Sequence, residues 1–329
     1  MQSGTSSSTD NPTLGIALIV IGMFAISIND MLIKDLSGGY PLHEIIFARS
    51  AIGLVLCLVI VAFDGGLAVL KTSTPFLHAL RGILITIANM TFFLAIAAMP
   101  LADATALFFV APLFITILSV PLLGEKVGGR RLLAVFAGFA GVVVMLQPGS
   151  SMMSMTASRA IALLPIVAAL AYAFTQILTR RLGIASRASA LAVYIQFTFV
   201  VVSLTFGFVA GDGRFAADAP NESIDFLLRA WRWPEPGDIW RLLTLGVISA
   251  VISYTVSAAY RSANAATIAP FEYVELPMAI FWGWLLWNEF PGPLTMTGIA
   301  MIAGSGIYVF WRERQRRRHL AIRRPTRRW

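Results

Sequence analysis

Two carboxylates three residues apart, Glu272 and Glu275, sit in "APFEYVELPMAIFWGWLLW", which runs from Ala269 to Trp287 and is otherwise apolar and aromatic. On a helix that spacing puts both acids on one face, close enough to titrate as a pair. Pro270 and Pro277 flank them, and each lacks the N–H that a helix would direct to Ala266 and Tyr273. Carbonyls left free at membrane depth are tolerated only against protein or a watery cavity. Two acids and two freed carbonyls suit a cation, a proton or the donor groups of a polar solute. A packing role fits the same residues, as a buried salt bridge to Arg49 with two proline kinks. Arg49 can pair with Glu275 or fork onto a solute carboxylate, and the residues leave both open.

Other polar groups interrupt apolar runs. Asp30 and Lys34 stand four apart in the order that favours a helical ion pair, so a local pair is expected there. Asn29, Asn89 and Gln176 supply amides that serve either a ligand or a neighbouring helix. The candidate binding set is therefore Glu272, Glu275, Tyr273, Arg49, Asp30, Asn89 and Gln176. Asp103 suits a helix N-terminus. Glu125 and Glu289 are expected to satisfy backbone or basic groups in adjacent loops.

The elements that must carry these residues are set by composition. Of 329 residues, 57% are hydrophobic and 13% charged, against about 25% charged in a soluble domain. Mean hydropathy is +0.77. Continuous apolar runs of roughly 20 residues predict transmembrane helices, and their lack of period-two alternation excludes a membrane barrel. Ten spans are expected: 13–35, 43–63, 74–97, 101–123, 130–147, 158–181, 187–211, 238–261, 265–287 and 293–311. Residues 1–12 read as a disordered tail with no basic residue, which argues against a cleavable signal peptide. A long connection, 212–237, contains "FLLRAWRW", whose Trp and Arg favour the membrane surface.

Charge sets the orientation. The segment 312–329 holds nine of the 25 Lys and Arg residues, and such clusters stay cytoplasmic. An even span count then puts both termini in the cytoplasm, with Lys126, Arg130, Arg131, Arg180, Arg181 and Arg187 in cytoplasmic loops and 212–237 outside. The tail's expected partner is anionic lipid headgroups, not nucleic acid.

The chain also repeats itself in order. "AMPLADATAL" (98–107) matches "YRSANAATIA" (260–269), "VPLLGEKVG" matches "WLLWNEFPG", and "NDMLIKDL" matches "TQILTRRL". Two halves of five spans, 13–147 and 158–311, follow. Five is odd, so the halves enter the membrane from opposite sides, the architecture of many secondary transporters with a site where the halves meet. Small residues in "FAGFAGVV" and "MIAGSGIY" let spans 5 and 10 approach closely.

With these residues in view, the chain resembles the drug/metabolite transporter superfamily, EamA type. The resemblance rests on Phe47-Ala48-Arg49 near the start of span 2, "LLGEKVGGRRLLAVFAGFAGVVVML" and "APFEYVELP…GWLLWNE", and covers nearly all of 13–311. "RGILITIANMTFFLAIAAMPLADATAL" and "APFEY" are similar to the branch of S-adenosylmethionine and riboflavin carriers. It implies an ATP-independent carrier of a small polar metabolite in the bacterial inner membrane, with no cofactor. It also implies that spans 5 and 10 are structural or form a homodimer contact. Within the superfamily an amino-acid or drug exporter, or a lipid-headgroup flippase, is the alternative.

An intramembrane enzyme is disfavoured. "HEIIF" at His43 lacks the second His of a zinc-protease motif, the other histidines being His78 and His319. There is no G-x-S-x-G and no P-loop, the lone Cys57 lies within a span, and no metal site is expected. Asp218→Cys, with Cys57 replaced, should react with an impermeant maleimide added to intact cells. Labelling only after the membrane is opened would break the even span count.

Overall fold

The computed structural model describes residues 11–123, 128–146, 159–182, 186–216, 221–262 and 268–322. Helices begin where caps and prolines allow. Asn11 accepts the Leu14 amide through its side chain and Pro12 occupies the first turn, starting α1 (Pro12–Leu36). Pro41 precedes α2 (Leu42–Phe63), and Gly65 and Gly66, both at positive φ, end it. Pro75 opens α3 (Pro75–Ala98). The fourth expected span is two helices, α4 (Leu101–Phe108) and α5 (Ala111–Leu123). Pro112 explains the break, because it cannot donate to the carbonyl of Phe108. Next come α6 (Gly129–Met145), α7 (Arg159–Leu182), α8 (Ala188–Ala210), the short α9 (Glu222–Leu228) and α10 (Ile239–Ser262).

The ninth expected span is also divided. A 3-10 turn, Ala269–Val274, runs into α11 (Glu275–Trp287), and α12 (Pro293–Ile322) follows. Pro277 lies in the first turn of α11, where a missing N–H costs no helical bond. The carbonyl expected to be free at Tyr273 takes the Glu275 N–H. Ala266 and Glu125 lie outside the described residues. The last helix outruns its expected end at 311 and continues to Ile322, so the basic segment starts helical.

Every described element is helical, and the chain is a multi-pass membrane protein. Seven helical stretches are long and apolar enough to cross a bilayer, Leu101–Leu122 being one of them. The other three expected spans correspond to α6, the 3-10 turn with α11, and α12. Packing follows an exchange pattern: α1 lies on α10 and α3 on α7, while α2 lies on α8 and α6 on α12. The first helix of each half expected from sequence thus packs on the third helix of the other.

At one end, α9 packs over α3 and α2. Phe226 is fully buried there, Ser223 donates to the Leu94 carbonyl, and Trp231 stacks on His43 and Phe47. The segment expected at the membrane surface packs on protein through Phe226 and Trp231, while Trp233 is 94% exposed. Its buried apolar side chains find a protein groove between α2 and α3, helices that otherwise touch little. At the other end, Arg187 and Ser189 hold Asp64. Asp64 lies below the usual carboxylate range, chiefly through the Ser189 hydroxyl. A depressed acid stabilises at neutral pH, and that contribution fades as pH falls through its folded value.

The small-residue segments meet as expected. A Cβ on Gly298 would lie 2.2 Å from Met145 Cγ and 2.8 Å from the Gly141 carbonyl, whereas one on Gly304 meets nothing within 4 Å. Gly298→Ala should therefore destabilise the detergent-purified protein by about 1–3 kcal/mol through overpacking. Gly304→Ala on the same helix should be neutral or slightly stabilising. Equal melting temperatures for the two variants would contradict the α6–α12 contact.

Candidate functional site

Six of the seven residues proposed from sequence line one central cavity: Asp30, Arg49, Asn89, Gln176, Glu272 and Glu275. Asp30 comes from α1, Arg49 from α2, Asn89 from α3 and Gln176 from α7. Glu272 sits in the 3-10 turn and Glu275 opens α11. The seventh, Tyr273, turns aside. Its ring packs on Phe109 at 5.1 Å between centroids and fills the space left by Gly306 on α12. A six-residue 3-10 turn accounts for this, since residues three apart eclipse and the residue between them faces elsewhere.

The carboxylates are organised by hydroxyls and by each other. Glu272 Oε1 accepts from the hydroxyls of Tyr172, at 2.9 Å, and Tyr260. Glu275 and Asp30 are neighbours in the cavity lining. Asp30 does not pair with Lys34. Lys34 instead binds Glu289 at 2.8 Å and the Met99 carbonyl at 3.0 Å, with its ammonium over the Trp287 ring. Its side chain is long enough to reach the end of the bundle, where α1, α4 and α11 meet. Glu289 meets the expectation of a basic partner, though across the fold and not in a loop.

Arg49 is only 3% exposed. Its guanidinium donates to Asn29 Oδ1 at 2.9 Å and to Asn89 Oδ1 at 3.0 Å, and lies 5.2 Å from the ring centroids of both Phe93 and Phe199. Its Nε has no partner among the described residues. The salt bridge to Glu275 is not formed. Asn29 stands between the charges, accepting from Arg49 and donating to Asp30 Oδ1 at 2.9 Å. Amide acceptors leave the guanidinium charge unneutralised, so it can still take an anion.

Sequence reasoning missed three residues here. Arg81, the seventh residue of α3, lines the same cavity and is as deeply buried as Arg49. The signal that singled out Arg49, an ionisable residue inside a span, was present for it too. Tyr172 and Tyr260 gave no such signal, because a tyrosine within a span is ordinary until its hydroxyl partner is known. His43 of "HEIIF" packs among Trp231 and Phe206 and faces the Leu227 carbonyl through Nδ1.

The fold and site define a class: a polytopic helical membrane protein with a charged cavity between helices drawn from both ends of the chain. Residues 13–147 match the EamA-like transporter family. The chain is 26% identical over 301 residues to an S-adenosylmethionine uptake transporter of Rickettsia prowazekii, covering 92% of this chain and 94% of that one. It is 28% identical over 253 residues to a riboflavin transporter of Rhizobium johnstonii (77% and 76%) and 27% identical over 288 residues to a pseudopaline exporter of Pseudomonas aeruginosa (88% and 93%). A solved crystal structure superimposes with a TM-score of 0.63 at 16% identity, covering 95% of this chain and 99% of that one.

The amide clamp makes a specific forecast. Glu275→Gln should fold and melt close to the parent, because Arg49 keeps both of its partners. Asn29→Leu should cost about 1–3 kcal/mol by stranding the guanidinium. Thermal unfolding in detergent distinguishes this from a direct Arg49–Glu275 bridge, which would reverse the order.

Proposed function

We propose that this chain is a secondary carrier, working by alternating access, for a small metabolite that bears an anionic group, a cationic group and an aromatic ring. The observation that carries the reading is the presence of both charge types in one cavity. The carboxyls of Asp30, Glu272 and Glu275 and the guanidinium of Arg49 line it together with Phe92, Phe93, Phe108 and Phe199. Carboxyls suit an ammonium or sulfonium, a guanidinium suits a carboxylate, and an aromatic lining suits a planar heterocycle. S-adenosylmethionine carries all three features and riboflavin carries the ring, which agrees with two of the relatives. Ionisable residues within membrane spans mark solute and ion paths by default.

The carrier is assigned to a bacterial inner membrane with both termini in the cytoplasm, an orientation supported by the arginine-rich end of α12. The basic tail would rest against anionic headgroups, and the exposed edge of the α6–α12 pair would serve a homodimer.

Purified protein in liposomes should take up labelled S-adenosylmethionine saturably without ATP. Glu272→Gln should lower that rate at least tenfold, with its fold intact, by removing the charge at the Tyr172–Tyr260 clamp. Channel-like currents, movement of a fluorescent phospholipid, or full activity in the Glu272→Gln variant would each overturn the reading.

A further inference from the structure

The second buried guanidinium is not explained by a single binding position for the solute. Arg81 is 3% exposed. Nε donates to Thr179 Oγ1 at 2.7 Å, one terminal nitrogen to the Leu191 carbonyl at 3.1 Å and the other to Ser257 Oγ at 3.3 Å. All three partners are neutral oxygens. Removing a cation from water is costly, and neutral acceptors repay less of that cost than a carboxylate or phosphate would. Arg81 also faces the cavity, as Arg49 does.

The partners come from three different helices. Thr179 is on α7, Leu191 on α8 and Ser257 on α10, whereas Arg81 is on α3. One side chain thus ties α3 to three helices of the later half of the chain. The seam is tight at the next residue, where a Cβ on Gly82 would lie 2.2 Å from Thr198 Oγ1. Beyond it, towards the start of α3, the His78 ring packs tilted against Tyr194, 4.4 Å between centroids, and faces Ser186. Any rocking that opens this end must break the Arg81 bonds first. Asn89, which holds Arg49, is eight residues further along α3, so the two guanidinium positions are separated by about 12 Å along that helix.

We propose that Arg81 is a second anion-binding position of the cavity and the latch of the end where α3 begins: the solute's carboxylate or phosphate takes the guanidinium from Thr179, Leu191 and Ser257, and the seam opens. This rests on the carrier reading. The solute's anionic group would pass between Arg49 and Arg81 while its cationic part stays near Asp30, Glu272 and Glu275. A ligand shifts a two-state equilibrium only by binding the states differently. An anion that substitutes for the seam's own bonds does so directly.

The test uses full-length protein with Cys57→Ser and a single reporter, Ile85→Cys, which lines the cavity one turn from Arg81. Vesicles of known orientation expose the α3-start end to an impermeant maleimide. Arg81→Gln should raise the labelling rate about tenfold through loss of the charge-assisted bonds. Thr179→Val with Ser257→Ala, which keeps the guanidinium, should raise it as well. With Arg81 present, S-adenosylmethionine should accelerate labelling and its decarboxylated analogue should not. Flavin mononucleotide against riboflavin asks the same of a phosphate, so the two pairs separate the carboxylate from the phosphate. Unchanged labelling in both seam variants would overturn the latch, and equal effects within both pairs would overturn the anion position. Saturable transport in liposomes alongside unchanged labelling would sink this inference and leave the carrier reading standing.

Discussion

A buried arginine held by amides is the constraint around which the centre of the molecule is arranged. Arg49 would cost several kcal/mol if left bare, yet a direct carboxylate partner would cancel its charge. Asn29 and Asn89 satisfy its hydrogen bonds without doing so. The two phenylalanine faces accept the rest of the cation. Because Asn29 also binds Asp30, which in turn neighbours Glu275, one chain of side chains crosses the cavity from α2 through α1 to α11. Moving any of those helices moves the others' polar partners.

Two backbone breaks lie where such a network can use them. The two broken spans both turn at an Ala-Pro pair, Ala111-Pro112 and Ala269-Pro270. In the first, the break brings Phe108 and Phe109 to the cavity; in the second, it brings Glu272 and Glu275. The two stretches thus share a mechanical feature while differing in chemistry. A second correspondence keeps its polarity. Asn29 and Asp30 in "NDMLIKDL" match Thr175 and Gln176 in "TQILTRRL", and all four line the cavity. At this matched position α1 supplies a carboxyl, Asp30, and α7 a neutral amide, Gln176.

The two ends of the bundle are packed by different means. The α9 end is capped by a folded segment that buries Phe226 and sets Tyr40 between Asp238 and Glu235. The opposite end is packed by side chains on the spanning helices themselves, Arg81 and His78 among them. A cap made of a connection can lift as a unit. A seam of interlocked helices opens only when the helices move.

Hydropathy alone determined the helical membrane class, the approximate bounds of ten segments and the presence of costly ionisable residues inside them. Those features follow from local chemistry: apolar length, proline placement and the price of a charge in hydrocarbon. The same local logic located Arg49, Asp30, Glu272 and Glu275, and would have located Arg81. Partnership lay beyond it. Lys34 sits one helical turn from Asp30, but its ammonium reaches Glu289, 255 residues away in the chain. Tyr273 lies between two cavity acids and still faces α12. The break after Phe108 and the docking of α9 depend on what each segment meets across the bundle. Tertiary structure alone decided which charges touch, which are kept apart by an amide, and which face the cavity, because a hydrogen bond is fixed by the position of both ends and sequence spacing supplies only one.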